Sequence, residues 1–179
     1  MVQRILVPLD GSKRAESALP LACSLASKDD AQMILLHILE YPSEVYSGLA
    51  YSGFAPRPLA DPAVNEKTQE KKEAIYNKVK GYLEETAARI GSSALSVSIE
   101  IHEGPVVETI LSSIEKLGVN LIVMSSTGED RSPWMLGAIA DRILREAYAP
   151  VVLLREGPGG LGPDCPALQG ESLPKLIES

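Results

Sequence analysis

Two polar segments that follow apolar runs could together bind a ligand with an anionic group. Asp10-Gly11-Ser12 follows the run 2–9, and Ser126-Thr127-Gly128 follows the run 120–125. The Asp10 carboxylate can accept hydrogen bonds from amino or hydroxyl groups, and Gly137-Ala138 stands where a helix begins. Backbone amides at a glycine-bearing loop and at a helix N-terminus bind anions. The simpler interpretation is that Asp10 caps a helix and the glycines only make turns, and periodicity alone favours it.

Other catalytic and metal-binding patterns are sparse. His37 and His102 are predicted to be polar residues at strand ends rather than catalysts. The nucleophile elbow of hydrolases and the phosphate-binding lysine motif are both missing from the sequence, so we expect no enzyme. Cys23 and Cys165 stand far apart, so neither a structural disulfide nor a metal site is expected.

Charge and composition argue against two classes of partner. The formal net charge is −7, and the densest basic stretch, 67–80, is interrupted by glutamates, so nucleic acid is not expected as a partner. Hydrophobic residues make up 45% of the chain. No apolar run approaches the roughly 20 residues that cross a bilayer, and no membrane association is expected. The N-terminus lacks the pattern of a signal peptide, which predicts a cytoplasmic location.

The elements that would position these segments alternate along the chain. Apolar runs predict strands at 2–9, 31–39, 95–101, 120–125 and 150–155. Helical spacing predicts helices at 12–26 (with a kink at Pro20), 63–90, 105–117 and 135–148. Gly118 is the predicted stop of the third helix, and Pro105 is predicted in its first turn. This alternation predicts an α/β fold with a parallel sheet between helices, plus a long loop at 41–62.

Six short pieces of sequence, in order, carry a family resemblance. They are Ile5 to Ser12, Ile34 to Ile38, Gly104-Pro105, Leu121 to Ser125, Gly137 to Leu144 and Ala149 to Leu154. From about residue 4 to 155 the chain resembles the universal stress protein family. The resemblance implies a three-layer sandwich with a five-stranded parallel sheet of order 3-2-1-4-5, the adenine nucleotide alpha hydrolase-like fold. It also implies a homodimer through the last strand, at Pro150, Val151, Val152, Leu153 and Leu154.

The resemblance further implies an adenine nucleotide, ATP or AMP, as a regulatory ligand in a stress response, with at most slow ATP hydrolysis. Members that bind ATP carry Gly-x2-Gly-x9-Gly-Ser/Thr after the fourth strand. The corresponding positions here are Ser125, Gly128, Gly137 and Ala138, and only eight residues separate the last two glycines. We therefore expect the phosphates to be bound weakly. Mg²⁺ is expected only if ATP binds. An interaction module of the same fold that has lost the ligand is the alternative.

The residues expected around the nucleotide come from both segments and from neighbouring strand ends. They are Pro8, Leu9, Asp10, Ile38, Gly104, Met124, Ser125, Ser126, Thr127, Gly128, Arg131, Gly137, Ala138 and Ile139. Glu129 and Asp130 would repel a triphosphate, and Arg131 would offset part of that repulsion. The predicted domain is 1–155, followed by a flexible tail at 156–179. The sequence names no signalling partner.

Overall fold

The structure is a computed structural model that describes residues 2–41, 49–52, 55–58, 62–91, 95–126 and 136–155. Its elements, in chain order, are β1 (Arg4–Pro8), α1 (Lys13–Glu16), α2 (Leu19–Asp29), β2 (Gln32–Leu39), β3 (Leu49–Ser52), β4 (Ala55–Pro58), α3 (Pro62–Ile90), β5 (Val97–Glu103), α4 (Val106–Lys116), β6 (Leu121–Ser125), α5 (Ala138–Glu146) and β7 (Val151–Leu154). Within these ranges, no helix has the length and apolar composition needed to cross a membrane.

Five parallel strands form the central sheet, in the order β5-β2-β1-β6-β7. Numbered among themselves along the chain, they lie in the order 3-2-1-4-5, which confirms the predicted fold. β1 pairs with β2 from Arg4 opposite Gln32 onward, and Leu6 pairs with Ile122 of β6. The strand order reverses between β1 and β6. Open parallel sheets bind ligands at the carboxyl ends of the strands on either side of such a reversal.

Successive side chains of β1 enter two separate cores, one on each face of the sheet. Ile5 and Val7 pack against α2 and α3 on what we call the first face. Leu6 packs against α4 and α5 on the second face. All three side chains are fully buried, and each such burial stabilises the fold by roughly 1.5–3 kcal/mol. Burial on both faces explains why the central strands are continuously apolar in sequence.

The predicted kink at Pro20 was wrong. The segment instead contains two helices, because α1 ends at Glu16 and α2 begins at Leu19. Pro20 lies in the first turn of α2, where a backbone N–H has no partner within the helix. The proline therefore costs no hydrogen bond and starts a helix rather than bending one.

The ends of α4 agree only in part with prediction. Pro105 is the N-cap residue in extended backbone and not part of the first turn. Gly118 follows the C-cap Leu117 with φ +60°, as the predicted stop requires. A residue with a Cβ atom is strained in this left-handed conformation.

The segment predicted as a long loop at 41–62 contains regular structure. β3 and β4 form a separate antiparallel pair in which Leu49 lies opposite Pro58, so the prediction of a continuous loop was wrong there. The prolines suggested a break, yet proline is tolerated on strand edges. The predicted tail at 156–179 and most of the loop at 126–134 lie outside the described residues.

Candidate functional site

The two polar segments meet at the carboxyl edge of the sheet. Because Leu6 pairs with Ile122 in parallel register, the same register carries Asp10 and Ser126 to neighbouring positions just beyond the strands. Asp10 is exposed, whereas Ser126 is 3% exposed. The structure thus brings together the first and fourth strand ends, as the sequence predicted.

The turn after β1 is fixed by local hydrogen bonds. The Ser12 amide donates to Oδ1 of Asp10 at 2.9 Å, and the Ala15 amide donates to Oγ of Ser12 at 3.1 Å. Gly11 has φ +84°, a conformation that glycine adopts without strain. Ser12, rather than Asp10, is therefore the N-cap of α1, and Asp10 shapes the turn before it.

The N-terminus of α5 lies against the end of β6. Gly137 is its N-cap, in extended backbone, and has no side chain with which to cap the first turn. The Gly137 amide donates to the Ser126 carbonyl at 2.8 Å, and the Ser126 amide donates to the Leu154 carbonyl at 2.7 Å. Gly137 does precede a helical turn, as predicted. Within the described ranges, no N-cap side chain accepts from the first amides of α5, at the point where the resemblance implies phosphates.

The side chain of Ser126 is the unexplained polar group of this region. Its Oγ is buried and, in the part of the chain that the structure describes, makes no hydrogen bond. A buried hydroxyl without a partner costs about 1–3 kcal/mol. Its backbone groups are satisfied by Gly137 and Leu154, so the hydroxyl alone is left to bind a ligand or a water molecule.

An apolar floor lies beside these polar groups on the second face. Met124 is buried in that core, and Ile38 of β2 packs against it. Gly104 follows β5 with φ +136° and precedes the N-cap of α4. A Cβ atom at Gly104 would come within 2.9 Å of Thr109 Oγ1, so only glycine fits this turn.

Of the remaining predicted residues, Leu9 is not brought to this face. Its side chain is buried in the first-face core, so only its backbone can line the site. Pro8 and Ser125 are half-buried at their strand ends, while Ala138 and Ile139 are exposed in the first turn of α5. Thr127, Gly128 and Arg131 lie outside the described residues.

A sequence profile of the universal stress protein family matches residues 1–155. The chain belongs to this family. Among curated relatives, it is 29% identical over 156 residues to universal stress protein YxiE of Bacillus subtilis (strain 168), which covers 87% of this chain and 100% of the relative.

Solved structures of the family share this fold. The structure of MJ0577, a universal stress protein of Methanocaldococcus jannaschii, superposes with a TM-score of 0.70 at 24% identity, over 88% of this chain and 98% of that one. A family protein from Arabidopsis thaliana, solved with AMP bound, superposes with a TM-score of 0.52 at 12% identity, over 87% and 93%. At these identities the likeness concerns the fold.

In this family member, the prediction for His102 needs correction, because His102 lies within β5 instead of following it, whereas His37 lies near the end of β2 as predicted. His37 of β2 is 8% exposed, and its Nδ1 is buried without a partner among the described residues. Burial lowers the pKa of His37, and a backbone hydrogen bond at Leu9 and the nearby Asp10 charge oppose that shift. His37 is therefore a neutral core residue on the first face. The sequence signal for its burial was the alternation of side chains along this apolar strand, which places His37 on the same face as Leu35 and Leu39.

His102 of this universal stress protein joins β5 to α4. Its Nδ1 lies 3.0 Å from Ser113 Oγ, and its Nε2 lies 3.2 Å from Glu100 Oε2. Serine, histidine and carboxylate in this order suggest a hydrolase, but Ser113 is 0% exposed and also hydrogen-bonds the Thr109 carbonyl at 2.7 Å. The Ser113 hydroxyl donates its one hydrogen to that carbonyl and has none to give to His102, so the His102–Ser113 contact holds the edge strand β5 against α4.

Proposed function

We propose that the crevice between the carboxyl ends of β1 and β6 binds an adenine nucleotide as a regulatory ligand, in a dimeric cytoplasmic stress-response protein. The observation that carries the proposal is the buried Ser126 hydroxyl, which lacks a partner in the described structure and stands beside the N-terminus of α5, whose N-cap is a glycine without a side chain. An anion there would accept hydrogen bonds from this hydroxyl and from the helix amides.

The nucleoside half of the ligand would lie on the apolar floor. Ile38 and Met124 offer the aliphatic surface that a purine ring needs, and the exposed Asp10 carboxylate can accept hydrogen bonds from ribose hydroxyls or the adenine amino group. The relative from Arabidopsis thaliana that was solved with AMP supports a ligand of this class.

The part of the site that would bind the phosphates is expected to bind a monophosphate better than a triphosphate. Ala138 begins α5 without the hydroxyl that the family motif places there. Losing one hydrogen bond to a charged group costs about 1.5–3 kcal/mol, which is roughly tenfold to a hundredfold in affinity. The sequence also places Glu129 and Asp130 in the connecting segment, where they would repel distal phosphates. We therefore expect AMP to bind at least as tightly as ATP, as a ligand and not as a substrate.

The test begins with freshly purified protein. Mass spectrometry after denaturation should detect a co-purified adenine nucleotide, and calorimetry should detect binding of AMP. Ser126→Ala should weaken AMP binding about fivefold or more, whereas the matched control Ser27→Ala, an exposed position in α2, should not. Absence of any nucleotide, together with no calorimetric binding of ATP, AMP or cyclic AMP, would overturn the proposal.

The second candidate is an interaction module that no longer binds a ligand. Ser125 and Ala138 favour it, because both depart from the motif of ATP-binding members. The double substitution Ser125→Gly and Ala138→Ser separates the candidates. A gain in ATP affinity of tenfold or more means that the pocket persists. No binding to either the parent or the variant favours the module.

A further inference from the structure

Glu16, the last residue of α1, is held by two side chains of the long helix α3. Tyr82 donates from its hydroxyl to Oε1 of Glu16 at 3.0 Å, and Arg89 donates from Nη2 to Oε2 at 3.0 Å. Both carboxylate oxygens are thus engaged. The side chains of Arg89 and Glu16 are only 19% and 20% exposed, so water screens this ion pair less than one on the surface. We call these three residues the Glu16 clamp.

Tyr82, one of the two α3 residues of the clamp, is buried in the first-face core. Tyr82 is 5% exposed, and burial and then the Glu16 charge raise the pKa of its hydroxyl above the ordinary value. The phenol therefore remains protonated and donates throughout the physiological range. Arg89 also lies 3.4 Å from Oγ1 of Thr86, which is fully buried. The spacing of 82, 86 and 89 places all three residues on one face of α3.

The short helix α1 depends on such contacts. Four residues cannot form a stable helix alone, because fixing the backbone of the first turn costs more free energy than the hydrogen bonding of one turn provides. Described contacts hold it at both ends: the Ser12 cap and burial of Ala15 at its start, and the Glu16 clamp at its end. The Ser12 amide in turn binds Oδ1 of Asp10 at 2.9 Å. An unbroken series of contacts therefore links α3 to the Asp10 turn.

We propose that Tyr82 and Arg89 are positioning residues for the Asp10 turn, which they hold in its binding geometry through Glu16. They lie 66 and 73 residues from Glu16 in sequence, and their hydrogen bonds to this part of the chain go to Glu16. The charge of Asp10 also contributes to raising the pKa of the Tyr82 hydroxyl. The ligand-binding consequence rests on the proposed function, whereas the effect on the turn does not. Because coupling between sites is reciprocal, a nucleotide that orders the Asp10 turn would also protect this part of α3.

Hydrogen exchange on the full-length protein without nucleotide tests the positioning role. In Tyr82→Phe and Arg89→Met, we expect amides of residues 10–18 to exchange at least fivefold faster, while amides of β2 change less than twofold. Arg89→Lys, which keeps the charge, should recover part of the protection. The control Arg145→Met removes an exposed ion pair to Asp141 on α5 and should leave residues 10–18 unchanged.

Calorimetry with AMP supplies the second measurement. Variants that loosen residues 10–18 should bind AMP about threefold to tenfold more weakly than the parent. The inference is overturned if the exchange rates of residues 10–18 are unchanged in the variants. It is also overturned if these rates rise only as much as those of β2, since equal increases indicate general destabilisation. It is also overturned if AMP affinity is unaffected by local loosening. If the parent binds no nucleotide, the proposed function fails, and the exchange result alone still decides whether the clamp holds the turn.

Discussion

At the scale of single residues, the buried polar atoms without partners are the most informative. Among the described residues these are His37 Nδ1, Arg89 Nε and Ser126 Oγ. Each such atom costs about 1–3 kcal/mol, so each requires a reason. Ser126 stands at the proposed anion site, and Arg89 belongs to the Glu16 clamp. His37 lies below the Asp10 turn, on the first face.

His37 predicts a specific dependence of stability on pH. Its folded-state pKa lies below the ordinary 6.5 because burial disfavours the imidazolium. As the pH falls through about 6.5, the unfolded chain binds a proton that the folded chain does not. The free energy of unfolding should therefore decrease, by up to about 1.4 kcal/mol per pH unit, until the folded-state pKa is reached. Urea denaturation between pH 7.5 and 5.5 measures this slope.

His37→Gln removes the titrating group and should flatten that slope. Glutamine differs from histidine in shape and in hydrogen bonding, so the stability of the variant at neutral pH is expected to differ from that of the parent. The comparison is therefore between slopes and not between absolute free energies. An unchanged slope in the variant would show that another group is responsible.

Sequence reasoning identified the site residues whose positions depend on neighbours in the chain. Asp10 follows a strand and Gly137 precedes a helix, and both positions follow from local pattern. The orientation of Leu9 required the alternation along β1, and its side chain lies on the first face. Glu16 could not be identified, because its partners on α3 are distant in sequence and only tertiary packing brings them together.

At the scale of elements, two glycines predict opposite effects of the same substitution. Gly118 follows the end of α4 with φ +60°, and a Cβ atom there would lie 3.1 Å from Nη1 of Arg4. Gly118→Ala should destabilise the fold by about 1–2 kcal/mol. Gly81 lies within α3, and a Cβ atom added there would meet no described atom within 4 Å, so Gly81→Ala should stabilise the fold by up to about 1 kcal/mol. Urea denaturation measures both, and shifts in the same direction would contradict the prediction.

The elements themselves were predictable where burial dictates composition. Central strands such as β1 and β6 are apolar because both faces are covered. The break between α1 and α2 was not predictable from Pro20 alone, because proline fits either a kink or a first turn. The β3–β4 pair was missed because Pro56 and Pro58 suggest a loop, and the edge position that permits them is a property of the folded chain.

At the scale of the whole molecule, the sheet ends in two different strands, β5 and β7. The family resemblance implies pairing of two copies through β7, whose residues Val151–Leu154 are half-buried in the single chain. Sedimentation equilibrium should give twice the chain mass of 19.2 kDa. Val152→Lys places a charge in this strand and should shift the equilibrium towards single chains.

The control for that substitution is Ala74→Lys, which adds the same charge at an exposed position of α3 and should leave the mass unchanged. Circular dichroism of both variants distinguishes loss of pairing from unfolding. If the parent protein sediments as single chains at micromolar concentration, the prediction of pairing through β7 is wrong.

The polar residues of the edge strand β5 would oppose growth of the sheet beyond two copies. If two copies join through β7, the outermost strand at each end of the combined sheet is β5, with Glu100, His102 and Glu103 along it. Like charges facing one another oppose the addition of a further strand. Assembly would then terminate at two copies instead of extending into a filament.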